Sequence, residues 1–80
     1  MSRCCDLAGL GFIEVEGRRV GIVGLRAAMA EVAELGLTKP EAVGEALLAR
    51  VEKLNWIPPE RRAVYARALR EAYDEVMHRG

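Results

Sequence analysis

Hydrophobic and polar residues follow two periods along this chain, and the change from one to the other predicts its fold. Residues 11–23 alternate between apolar and polar with a period of two, as expected of a half-buried β-hairpin. Apolar residues then recur at spacings of three and four, which predicts helices over 25–35, 39–54 and 59–78. The predicted fold class is therefore α+β, an N-terminal hairpin followed by a three-helix bundle, in a single domain over residues 7–80.

The hairpin admits two registers. With Glu16-Gly17 as a two-residue turn, Glu14 sits opposite Arg19 on one face of the ribbon. Glutamate is not an ideal residue for positive φ, so a three-residue loop with Gly17 left-handed is the alternative, and it pairs Phe12 with Val20. In either register a two-stranded ribbon is marginal in water, and the helices or a second copy of the chain must cover it.

Short sequence signals predict where each helix begins and ends. Thr38 followed by Glu41 has the spacing of a capping box, which predicts that the second helix starts just after Thr38. Gly36 is placed to be the left-handed residue that ends the first helix. The two prolines at 58 and 59 prevent a helix from continuing through them. The preceding pair, Trp56-Ile57, is predicted to cover the end of the core.

The helical periodicity also predicts which side chains face inward. These are Leu25, Met29, Val32 and Leu35 in the first helix, Val43, Leu47, Val51 and Leu54 in the second, and Val64 or Tyr65, Ala68, Leu69, Ala72, Tyr73 and Val76 in the third. Gly44 interrupts the second helix and has two interpretations. Either another helix approaches its backbone closely, or it is a tolerated small residue.

The composition and the net charge argue against several classes of function for this chain. The chain has 80 residues, enough for one domain, and its 12 basic and 12 acidic residues cancel. A neutral chain has no general attraction for nucleic acid or for anionic lipid. No apolar run approaches the roughly 20 residues that span a bilayer, so a soluble, cytoplasmic protein with no membrane association is expected. Nucleophile patterns and paired acids are also missing, which predicts that the protein is not an enzyme.

Cys4 and Cys5 are the most suggestive chemical feature, and they lie in a segment, residues 1–6, predicted to be a flexible tail. A disulfide between adjacent cysteines would close almost no loop, so it would add little to the stability of the domain. Two such cysteines are therefore more typical of a protein in a reducing compartment. Their thiolates could hold zinc or another soft metal, or shuttle between thiol and disulfide. No C-x-x-C spacing is present and the one histidine, His78, is at the far end of the chain, so inert thiols are the competing interpretation.

The glycines of the segment Val20–Leu25 suggest a surface for self-association. The spacing G-x-x-G does not match the G-x-G-x-x-G of a dinucleotide fold, and only helices follow it. Glycines at these positions let the ribbon bend and let a neighbouring backbone come close. In a homodimer that neighbour could be the same segment of the other copy. The predicted interface residues are Gly21, Val23, Gly24, Leu25 and Met29.

Nucleic-acid binding is a third hypothesis. Two helices joined by a tight turn between Val32 and Leu54 have the outline of a helix-turn-helix, but Glu41 and Glu45 would face phosphate. The strand followed by two helices also has a ribbon-helix-helix outline, without polar side chains to read bases. A basic patch that includes Arg61 and Arg62 would form only if the hairpin meets the last helix.

Two segments carry a resemblance to a known family: Val20-Gly21-Ile22-Val23-Gly24-Leu25 and Asn55-Trp56-Ile57-Pro58-Pro59. With the order of elements around them, residues 4–76 resemble a family of short, uncharacterised archaeal and bacterial proteins that carry cysteines near the N-terminus. The resemblance implies no established activity. The two thiols here are adjacent rather than spaced, which departs from that pattern.

The function that the sequence favours is a small protein-interaction or assembly module that acts as a homo-oligomer, most simply a homodimer with an unknown protein partner. A thiol-based metal or redox accessory protein that uses Cys4 and Cys5 is the alternative. A small nucleic-acid-binding protein is the second alternative.

Overall fold

The computed structural model describes residues 11–79 and has the predicted α+β arrangement. The elements in chain order are β1 (Phe12–Val15), β2 (Arg18–Gly21), α1 (Leu25–Leu35), α2 (Pro40–Val51), a 3₁₀ turn (Pro59–Arg61) and α3 (Arg62–Arg79). The strands form an antiparallel hairpin, α3 packs against both α2 and β1, and α1 packs against α2. The tail predicted over residues 1–6 lies outside the described residues.

The hairpin has the register of the two-residue turn. Glu14 pairs with Arg19 and Ile13 with Val20, so the alternative that pairs Phe12 with Val20 does not occur. Both turn residues have positive φ, 52° at Glu16 and 80° at Gly17, which is the geometry that matches the right-handed twist of the strands. Glutamate is strained there, but its carboxylate forms an ion pair with Arg61.

One hydrophobic core joins the hairpin to all three helices. Its fully buried side chains are Ile13, Leu25, Val32, Leu47, Leu48, Val51 and Leu69. Gly44 is also buried, on the side of α2 that faces α3, so the first of the two interpretations of this glycine is confirmed. No helix within residues 11–79 combines the length and the apolar character that a membrane crossing requires.

The start of α2 differs from the predicted capping box. Lys39 is the N-cap residue, with extended φ of −91° and ψ of 130°, and no side chain caps the helix. Pro40 takes the first helical position, and a proline there requires an extended residue before it. The cap therefore falls one residue after Thr38, and the Thr38–Glu41 spacing no longer matches the helix start.

Three predicted core positions are exposed instead. Leu54 is 64% exposed because α2 ends at Val51. The chain leaves the helix there, so Leu54 no longer lies on the inward face that the helical spacing predicts. Leu35 is 52% exposed as the last residue of α1, next to the left-handed Gly36 that ends the helix as predicted. Trp56 does not cover the core. The chain is not helical there, and neighbouring residues of extended chain face opposite ways, so Ile57 is buried and Trp56 is not.

Candidate protein-interaction surface

Three large apolar side chains are exposed where the chain enters α1 and leaves α2. Val23 is 61% exposed, Leu54 64% and Trp56 82%. We call these three residues the apolar cap. Scattered exposed alkyl groups are ordinary on a protein surface, but a nearly bare tryptophan beside two other apolar residues is a feature typical of binding surfaces.

Asn55 fixes the geometry of the apolar cap. Its Oδ1 accepts a hydrogen bond from the Val23 amide at 2.9 Å, and its Nδ2 donates to the Val23 carbonyl at 3.0 Å. The same Nδ2 donates to the carbonyl of Val51, the last residue of α2, at 2.8 Å. One carboxamide therefore joins two segments that are 32 residues apart in sequence. The loops that carry the exposed side chains are tied to each other and to a helix end.

A shallow groove adjoins the apolar cap between α1 and α2. Its volume is about 180 Å³, and its lining includes Gly24, Ala27, Ala28 and Leu54. Leu54 lies directly over Gly24, because a Cβ added at that glycine would fall 2.9 Å from the Leu54 Cδ1. The small residues of α1 thus give the Leu54 side chain a place to lie along the surface.

The predicted interface residues divide into two groups. Gly21, Val23 and Gly24 are exposed, and Val23 belongs to the apolar cap. Leu25 and Met29 are buried in the core of the protomer, with exposed fractions of 1% and 5%. A second molecule can therefore reach Gly21, Val23 and Gly24 directly, whereas Leu25 and Met29 are core residues of the protomer and are not accessible to it.

The hairpin and the last helix do meet, as the basic patch requires, but the arginines there have acidic partners. Arg61 forms an ion pair with Glu16 of the hairpin turn, and Arg62 forms one with Glu52 at 3.1 Å. The hydrogen bond and the charge of Glu16 raise the pKa of the Arg61 guanidinium above its ordinary value, and those of Glu52 raise the pKa of Arg62. Pairing of this kind reduces the attraction of either arginine for phosphate.

The thiols predicted as a metal or redox site, Cys4 and Cys5, lie outside the described residues. Among residues 11–79, no three His, Cys, Asp or Glu side chains are grouped so that they could hold a metal ion.

Sequence reasoning missed the apolar cap because it assigned two of its members to the core. Leu54 continued the apolar spacing of the second helix, and Trp56 preceded two prolines beside an isoleucine. Asn55 carried the available signal, since an asparagine with a free carboxamide commonly bonds to nearby backbone groups and ends a helix.

No protein-family model matches this chain, and neither a curated protein nor a solved structure matches it. The resemblance described above therefore rests on its two sequence segments and on the order of the elements.

Proposed function

We propose that this chain is a non-catalytic protein-interaction module of the cytoplasm that works as a homodimer and docks another polypeptide on its apolar cap. The observation that carries the proposal is the Trp56 ring, 82% exposed and held in a turn that Asn55 fixes. Tryptophan, with tyrosine and arginine, is enriched among the residues that dominate binding energy in protein interfaces.

The energetics favour a covered state of the apolar cap. Full burial of one large apolar side chain is worth roughly 1.5–3 kcal/mol, and the apolar cap has three such side chains that are mostly exposed. The surface is also ordered before binding, because the Asn55 hydrogen bonds already hold its backbone. Ordering costs at the interface are correspondingly small, which increases the affinity that a given contact area provides.

The charged groups near the apolar cap support a binding role better than a catalytic one. Arg50 and Glu31, beside the groove, are hydrogen-bonded to each other at 2.8 Å. Glu52 is engaged by Arg62. Paired, solvated charges of this kind form the polar rim that surrounds the apolar centre of an interface.

The apolar cap can be tested with peptides selected from a random library on the immobilised protein. Trp56 is the only tryptophan, so its emission reports directly on whether the surface is covered. We expect selected peptides to shift that emission to shorter wavelength and to bind Trp56→Ser at least tenfold more weakly.

Leu35→Ser is the matched control, because Leu35 is an exposed leucine at the opposite end of α1, about 16 Å away along the helix. This variant should bind the peptides as the unmodified protein does. Peptides that bind Trp56→Ser and the unmodified protein equally well would contradict a role for the apolar cap. Light scattering over a range of concentrations tests the homodimer separately.

A further inference from the structure

The outer edge of β2 has backbone groups that face away from the hairpin. The Ile22 amide donates to the Gly11 carbonyl at 2.7 Å, which fixes this pair as hydrogen-bonded. Hydrogen-bonded and non-hydrogen-bonded pairs alternate along an antiparallel ladder. The amide and carbonyl groups of Val20 therefore bond to β1, while those of Arg19 and Gly21 point outward.

None of the elements in residues 11–79 pairs with this edge. The helix that packs on the hairpin, α3, packs mainly against β1, the strand farther from this edge. Within residues 11–79, the outward amide and carbonyl groups of Arg19 and Gly21 have no hydrogen-bond partner. An edge strand with free groups is a site where another strand adds on.

The length of the free edge is limited by Asn55. The next outward-facing position after Gly21 is Val23, and Asn55 already bonds both its amide and its carbonyl. On the other side the strand begins at Arg18, directly after the hairpin turn. Two residues, Arg19 and Gly21, are thus the only outward positions of β2 that a partner strand can use.

We propose that β2 of a second copy of this chain pairs antiparallel with this edge, with Arg19 opposite Gly21 of the partner subunit and the twofold axis at Val20. The pairing rests on the homodimer of the proposed function and specifies its geometry. Four backbone hydrogen bonds form across the axis, two on each side. The two hairpins become one four-stranded antiparallel sheet with β1 of each protomer at its outer edges.

The neighbouring symmetric registers are unfavourable. A shift in one direction places Arg19 opposite Arg19 of the partner subunit, and like charges directly opposite in a sheet are destabilising. A shift in the other direction places Arg19 opposite Val23 of the partner subunit, whose backbone groups are taken by Asn55. The register centred on Val20 avoids both problems.

The outer face of the sheet is self-complementary in this register. The Phe12 ring lies over Gly21, since a Cβ at position 21 would be 3.4 Å from the Phe12 Cε2. Arg19 pairs across the hairpin with Glu14. When Arg19 is opposite Gly21 of the partner subunit, its guanidinium reaches the ring of Phe12 of the partner subunit, a cation–π contact made once on each side of the axis.

Cysteine crosslinking tests the register. In a Cys4→Ser/Cys5→Ser background, Val20→Cys places two thiols at a non-hydrogen-bonded pair, where the Cα atoms are about 4.5 Å apart and a disulfide is permitted. Arg18→Cys is the control, because the two copies of residue 18 are about 13 Å apart in this register. Arg18 is more exposed than Val20, so random collisions would favour the control.

We expect Val20→Cys to form the covalent dimer at least tenfold faster than Arg18→Cys under mild oxidation. Equal rates, in a protein that light scattering shows to be dimeric, would overturn the register and leave the homodimer intact. A protein that stays monomeric at every concentration would overturn both.

A second variant tests the edge itself without relying on cysteine. Arg19→Pro removes an outward amide that takes no part in the β1–β2 ladder, so the hairpin should stay folded. The far-UV circular dichroism spectrum of the protein should therefore not change. We expect its dimer dissociation constant to rise at least tenfold. Arg19→Ala, which keeps the amide and loses only the guanidinium, should raise it less. An Arg19→Pro protein that dimerises as the unmodified protein does would overturn the proposal.

Discussion

Gly44 of α2 lies against the main chain of Ala66 in α3, so closely that a Cβ at position 44 would fall 2.8 Å from the Ala66 carbonyl oxygen. Cβ atoms essentially never lie within 3.0 Å of another heavy atom of this kind. The oxygen belongs to the backbone of a helix, so it cannot rotate away as the end of a flexible side chain would. The two helices therefore pack at a separation that glycine alone permits.

We expect Gly44→Ala to lower the free energy of unfolding by up to about 2 kcal/mol, measured by urea denaturation. Alanine gains about 1 kcal/mol over glycine from helix propensity, and overpacking a tight contact costs about 1–3 kcal/mol. The second effect should dominate because the contact is with rigid backbone. At the exposed Ala49 of the same helix, Ala49→Gly should be destabilising, so the preference between glycine and alanine reverses between the two positions. A Gly44→Ala protein more stable than the unmodified protein would contradict the packing described here.

We expect Asn55→Asp to lower the free energy of unfolding by about 1–3 kcal/mol at neutral pH, because it removes an NH₂ donor that serves two carbonyls. The new carboxylate faces the carbonyl oxygens of Val23 and Val51, so folding favours its protonated form and raises its pKa. The stability difference from the unmodified protein should therefore shrink as pH falls.

Urea titrations of Asn55→Asp at several pH values, with the fluorescence anisotropy of Trp56 as a local readout, measure both effects. Lys53→Ala is a control in the same turn, because Lys53 is exposed, and it should change stability by less than about 0.5 kcal/mol. An Asn55→Asp protein as stable as the Lys53→Ala control would show that the carboxamide does not hold the apolar cap in place.

The elements of this fold follow from the sequence where periodicity is strong. The first helix was predicted to its exact bounds, Leu25–Leu35, because a glycine adjoins each end. The second helix was predicted too long at its end, since spacing continued the apolar pattern to Leu54 although the helix stops at Val51. Periodicity identifies which residues share a face, but it does not identify the residue where a helix stops, which here is marked by the hydrogen bond from Asn55 Nδ2 to the carbonyl of Val51.

The candidate site was less predictable than the fold. Gly21, Val23 and Gly24 were predicted to lie at an interface from local backbone arguments, and they are exposed. Trp56 and Ile57 were predicted together to cover the end of the core, and the sequence does not show that only Ile57 faces inward. The contact between Val23 and Asn55 spans 32 residues, beyond the reach of any local pattern.

We expect the protein to bind neither duplex DNA nor single-stranded RNA in a salt-dependent way, because Arg61 and Arg62 are paired with Glu16 and Glu52. Fluorescence anisotropy with labelled oligonucleotides over a range of salt concentrations measures this. Arg61→Glu/Arg62→Glu should instead reduce stability, since each new carboxylate would face an existing one, and salt should narrow that difference. Nucleic-acid binding that weakens steeply with salt and is lost in the double variant would support the nucleic-acid hypothesis.

We expect Cys4→Ser/Cys5→Ser to keep the oligomeric state and the metal content of the unmodified protein, because the apolar cap and the proposed dimer edge both lie within residues 11–79. Structural zinc requires four ligands, and two adjacent cysteines supply at most two, so a zinc site would need the four sulfurs of two chains. Elemental analysis of anaerobically purified protein, combined with light scattering, measures both quantities. One zinc ion per two chains, lost in the double variant together with the dimer, would replace the present proposal with the thiol-based alternative. If the double variant loses zinc but still dimerises, the protein has a metal site and its dimer interface does not depend on that site.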